Sequence, residues 1–297
     1  MNRIKDQIRC GAAYRLGLTG KGIGVAVLDT GIFLHRDFDS RVTGFADMVN
    51  GKNFAYDDCG HGTHICGIIG GSGRMSGGRY SGIAPGCDLV MVKVLDRKGN
   101  GYSSDVLAGI SWILERKEKL GIRILNISVG ACSKRGMSEN SALVKGVNRA
   151  WDAGLVVVVA AGNNGPRTMS ITTPGISRKV ITVGCSDDDR EVLVGGNRML
   201  DYSGRGPTAA CICKPDLVAP GCSVVSCSSR ADKYTIKSGT SMSTPIVSGA
   251  VALLLERFPD MTNKDVKLRL RESSVDIGLP RNQQGWGLLD VGKMIGK

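Results

Sequence analysis

Residues 23–28, Ile-Gly-Val-Ala-Val-Leu, and 155–160, Leu-Val-Val-Val-Val-Ala, are apolar without the alternation of a half-exposed strand. Runs of this kind read as strands covered on both faces, and such strands belong to parallel sheets flanked by helices. Segments 87–95, 122–128 and 180–184 also read as strands. Segments of helical period lie between them. In 103–119, Val106, Leu107, Ile110, Ile113 and Leu114 share one face, and 138–153 and 262–271 also read as helices, the last with Thr262 as N-cap. Strand and helix alternate for most of the 297 residues. That pattern predicts an α/β fold, a doubly wound and mostly parallel sheet with helices on both faces. No linker, low-complexity tract or internal repeat of roughly 20–50 residues interrupts it. The chain 1–297 is therefore expected to form a single domain, with 187–237 a β-rich appendage to the same core and 215–221 a loop.

The stretch 238–255 opens Ser-Gly-Thr-Ser and continues as a helix, with Val247, Ala250, Val251, Leu254 and Leu255 on one face. Pro245 is expected in its first turn, where a missing N–H costs little. Ser241 then lies at a helix N-terminus, near the positive end of the dipole. An N-cap serine gives the same pattern, so this stretch alone leaves cap and nucleophile both open. Asp29 ends the run 23–28, where α/β sheets place site residues, although a turn aspartate also fits. His61 opens another helical stretch after Gly60, and the chain holds only His35, His61 and His64. His61 and His64 are three apart, but no H-E-x-x-H and no third ligand accompany them, which argues against a metal pair.

Together these residues give the order Asp, His, Ser. A serine hydroxyl needs a neutral imidazole to take its proton, and a buried carboxylate to orient that imidazole. The segments Val27-Leu28-Asp29-Thr30-Gly31, Gly60-His61-Gly62-Thr63-His64 and Ser238-Gly239-Thr240-Ser241-Met242-Ser243-Thr244-Pro245 resemble the three active-site motifs of the subtilisin-like serine proteases. Ala160-Ala161-Gly162-Asn163-Asn164-Gly165 resembles the family's oxyanion segment, and the likeness runs from about Leu18 to Leu289. The resemblance implies a serine endopeptidase acting on peptide or protein substrates through an acyl-enzyme. It implies Ser241 as nucleophile, His61 as base then acid, Asp29 as orienter, and Asn163 with the Ser241 N–H as oxyanion donors. It also implies a substrate cleft between Gly99, Asn100, Gly101 on one edge and Ser128, Val129, Gly130 on the other. A catalytically silent peptide-binding protein on the same fold is the alternative. An α/β-hydrolase fails on its motif, since G-x-S-x-G is absent around Ser241 and no histidine follows it.

The sequence departs from the family in places. Gly130-Ala131 stands where members often carry Gly-Gly at the specificity pocket. No Asn-rich calcium loop is evident at 70–80, so a structural calcium at Asp37 lacks a clear site, and no cofactor is expected for the chemistry. Only 28 residues precede Asp29, which reads as no pro-segment or as a processed form.

Net charge is +12, but Lys and Arg are dispersed and aromatic residues are 5%, which argues against a nucleic-acid surface and suggests acidic partners. Ten cysteines without a C-x-x-C pair, and an N-terminus lacking an apolar signal core, read as free thiols in the cytoplasm. No apolar run is long enough to cross a membrane.

Overall fold

A computed structural model describes residues 1–130 and 139–296. Ala131, Cys132 and the expected helix start at Ser138 lie outside the described residues. The strands are β1 Gly24–Asp29, β2 Val42–Asp47, β3 Asp88–Lys93, β4 Ile122–Ile127, β5 Val156–Ala160, β6 Ile181–Cys185, β7 Val192–Val194, β8 Asn197–Met199, β9 Leu217–Ala219, β10 Val224–Cys227 and β11 Tyr234–Lys237. The helices are α1 Asn2–Gln7, α2 Gly11–Arg15, α3 His61–Gly70, α4 Ser103–Arg116, α5 Ala142–Asp152, α6 Thr240–Arg257, α7 Asn263–Ser273, α8 Arg281–Gln284 and α9 Val291–Met294.

Seven strands form one parallel sheet in the order β2-β3-β1-β4-β5-β6-β9. Every residue of β1 and β5 is buried, as their unbroken apolar runs require. The coverage comes from helices packed in two pairs, α3 with α6 and α4 with α5, laid against the sheet. The connections leave β1 toward β2 and β3 on one side and continue from β4 on the other, so the winding reverses between β1 and β4. Open α/β sheets bind ligands beyond the strand C-termini at such a reversal. Asp29 closes β1 there, and Ser128 follows β4 directly.

Residues 215–221 are not simply a loop. Leu217, Val218 and Ala219 are fully buried and pair with β6 as the last strand of the central sheet. A strand of three residues between Pro215 and Pro220 is too short to show a period. The segment 187–237 is therefore partly core, and only the antiparallel pairs β7·β8 and β10·β11 stand outside the sheet. The capping role of Thr262 holds: its hydroxyl accepts the Asp265 N–H, and the Asp265 carboxylate accepts in return.

Pro245 sits differently from expectation. It is the sixth residue of α6, a turn beyond the first, so no N–H at 245 reaches back to the Ser241 carbonyl. The helix starts earlier because Gly239 caps it at φ 139°, a backbone that side-chain-bearing residues rarely adopt. A Cβ at 239 would also stand 3.3 Å from Asn163 Nδ2.

Candidate active site

Asp29 is wholly buried at the end of β1, and its Oδ1 accepts the Thr30 N–H at 2.7 Å. Across from it, His61 Nδ1 lies 2.8 Å from Oδ1 and 2.9 Å from Oδ2. An ionised carboxylate only accepts, so Nδ1 carries the proton and Nε2 is left as the basic nitrogen. His61 is held there because it is the first residue of α3, whose N-terminus is tied down by Asp57. One Asp57 oxygen accepts from the Cys59 and Gly60 amides and the Thr30 hydroxyl, and the other from the amide and hydroxyl of Thr63. The Thr30 hydroxyl also accepts the Gly62 N–H, which joins the end of β1 to the start of α3. Beneath them Lys93, fully buried, donates to the Thr30 and Leu95 carbonyls and to Asp58.

Ser241 is the second residue of α6 and lines the same cleft as His61, a hollow of about 440 Å³. Its hydroxyl donates to the Ser128 carbonyl at 2.7 Å. A hydroxyl has one proton, so in this state it is not given to His61. Catalytic hydrogen bonds often form only with substrate present. Ser128 is itself fixed from behind: Ser248 on α6 donates to Asn126 Oδ1, and Asn126 Nδ2 donates to Ser128 Oγ.

Asn163 also lines the cleft. Its Oδ1 accepts both the backbone N–H and the hydroxyl of Thr240, each at 3.0 Å. With the oxygen held, Nδ2 is the donor end of a side chain that shares the cleft with Ser241. Of the two expected edges, Gly99, Ser128, Val129 and Gly130 line this cleft. Asn100 and Gly101 line an adjoining hollow of about 220 Å³, walled by Leu95, Tyr102 and Leu143. A Cβ at Gly130 would meet Thr172 Oγ1 at 2.2 Å, so only glycine keeps that edge open.

The profile of the Subtilase family matches residues 20–287. The protein belongs to the subtilase family. It is 43% identical over 290 residues to serine protease AprX of Bacillus subtilis, covering 92% of this chain and 65% of that protein. It is 34% identical to subtilisin BL of Lederbergia lenta, covering 96% of this chain and 95% of that one. Among solved structures, sphericase superposes with a TM-score of 0.79 at 31% identity, over 92% of this chain and 93% of that one.

Sequence reading missed the residues that do the positioning. Asp57 had a visible signal, an acid a turn ahead of a helix start. Thr240 lay inside a quoted motif, but nothing in the sequence said that its N–H and hydroxyl converge on one carboxamide oxygen. His64, read beside His61 as a weak metal pair, is turned away, with Nε2 3.1 Å from the Val224 carbonyl. Burial, then the nearby Lys237 and His61, push it down to about 3, so it stays neutral. At Asp37, the carboxylate accepts the Met75 N–H and the Tyr234 hydroxyl, with His35 Nδ1 and Cys227 Sγ beside it. Calcium takes six to eight oxygens, so this mixed nitrogen and sulfur surround does not fit it.

Proposed function

We propose that the protein is a serine endopeptidase forming one catalytic domain over 1–297. The observation that carries the reading is the His61–Asp29 contact at 2.8 Å, with Ser241 at a helix N-terminus in the same cleft. Ser241 Oγ attacks the scissile carbonyl while His61 Nε2 takes its proton, and the acyl group passes to the serine oxygen. The Asp29 carboxylate stabilises the imidazolium that forms. Asn163 Nδ2 and the Ser241 N–H receive the charge that develops on the carbonyl oxygen. His61 then gives the proton to the leaving amine, and water repeats the sequence to release the acyl group. The substrate lies extended between the edges at 99–101 and 128–130, bound through its main-chain groups. No metal or cofactor enters these steps. A serine-directed phosphonofluoridate should label Ser241 of the folded protein, and label it far more slowly once His61 is replaced by alanine. A silent peptide binder takes no label, and that result in folded protein would remove the enzymatic reading.

We further propose that the protein works in the cytoplasm, a reducing compartment. The nine described cysteines are free, and Cys10, Cys66, Cys87, Cys185, Cys222 and Cys227 are buried. Titration of denatured, unreduced protein should find nearly all ten thiols. Finding most of them oxidised would place the protein outside the cytosol. Among the described residues, no helix is long and apolar enough to cross a membrane.

A further inference from the structure

Among the described residues, the charged side chains on the cleft wall besides His61 are Lys98 and Lys237, and no aspartate or glutamate lines it. Aspartates adjoin Thr30 and Cys59 of that wall in the chain, and each already has a partner, although Asp58 stays 38% exposed. Asp29 holds His61 Nδ1. Asp57 is spent on the amides and hydroxyls at the start of α3. Asp58 is paired with the buried Lys93 at 2.7 Å. The cleft therefore presents positive charge to whatever enters it.

The two lysines differ. Lys98 belongs to a turn closed by Asp96, whose Oδ1 accepts the amides of Lys98 and Asn100, so that carboxylate offsets its charge. Lys237 ends β11, half-buried, four residues before Ser241. No ion pair among the described residues includes it. Its strand β11 lies against α3: His64 Nε2 is 3.3 Å from the Thr235 carbonyl, two residues before Lys237. Lys237 thus reaches the cleft wall from the strand packed against α3, the helix that carries His61.

The chemistry identifies what passes His61. His61 delivers a proton to the leaving amine, so the product on the amine side of the scissile bond departs past His61. The acyl portion remains along the two edges. We propose that Lys237 selects substrates with an aspartate or glutamate just C-terminal to the scissile bond. This rests on the protease reading and adds a substrate class to it. The docked peptide displaces water around a half-buried ammonium, which strengthens its attraction to a carboxylate relative to an exposed pair. The same charge repels lysine and arginine at that position. The overall charge of +12 acts in the same sense by steering acidic peptides to the protein.

The test uses quenched-fluorescent peptides identical except for Glu, Gln or Lys after one scissile bond, with the cleaved bond confirmed by mass spectrometry. For the full-length protein, kcat/KM should fall in the order Glu, Gln, Lys, with Glu over Lys by about 3- to 10-fold, and added salt should compress the spread. Lys237→Gln should flatten the series and Lys237→Glu should invert it. Ratios between peptides on one variant cancel any general loss of activity or folding. Equal rates in the wild type, or an order that survives Lys237→Glu, overturn the assignment and leave the protease reading standing. Failure of the folded wild type to cut any of the peptides overturns both.

Discussion

Replacing Ser241 with alanine should lower kcat for peptide hydrolysis by about 10⁶-fold, and His61→Ala should do as much. Those magnitudes are the ones found for subtilisin, a relative, and are adopted from it. The two losses match because nucleophile and base act as one unit: without the imidazole the hydroxyl is a poor nucleophile, and without the hydroxyl the imidazole has nothing to activate. Asp29→Asn should cost less, about 10⁴-fold, a figure that comes from another serine protease. A carboxamide at 29 can present its NH₂ to Nδ1 and so favour the tautomer with the proton on Nε2, the wrong nitrogen. Ser241→Ala should barely change stability. The side chain is half-buried and its hydroxyl makes one hydrogen bond, to Ser128, worth about 0.5–1.5 kcal/mol. Denaturant midpoints with single-turnover rates separate the two effects. A folded Ser241→Ala protein that retains hydrolysis at more than a hundredth of the wild-type rate would take Ser241 out of the reaction.

How far the sequence reaches depends on the length and purity of each signal. β1 and β5 were legible because both faces are buried and four or more consecutive side chains are apolar. β2, Val-Thr-Gly-Phe-Ala-Asp, gave no such signal, since it lies at a sheet edge with most side chains only partly covered. β9 was hidden by its brevity. The order Asp29, His61, Ser241 was legible as chemistry, because three residue types at strand and helix ends are what acyl transfer needs. Their mutual contact was not, since 32 residues separate Asp29 from His61 and only the sheet brings them within 2.8 Å. Pro245 misled by a turn because φ at Gly239, which fixes where α6 begins, has no signature beyond a glycine. Lys237 is instructive in the opposite sense. The sequence shows a surplus of positive charge but not which lysines face the cleft; that follows from where the fold sets the turn after Asp96 and the end of β11.

Asn163→Ala should lower kcat by about 10²–10³-fold with little change in KM, the range known for the corresponding donor in subtilisin. KM is spared because the donor serves charge present only in the transition state. Alanine alone does not isolate that effect. It also strips the acceptor from the Thr240 N–H and hydroxyl, and an unmet buried donor costs about 1–3 kcal/mol and can shift the start of α6 under Ser241. Asn163→Asp removes the ambiguity. A carboxylate at 163 keeps an oxygen for both Thr240 groups and the shape of the side chain, but replaces the Nδ2 donor with an anion. If Asn163 works by donating, the aspartate variant should lose at least as much kcat as the alanine variant while keeping wild-type stability, because it sets negative charge against the developing oxyanion. If Asn163 merely braces Thr240, the aspartate variant should retain most of the activity. Measured side by side, the two variants decide whether the carboxamide touches the reaction or only holds the helix that does.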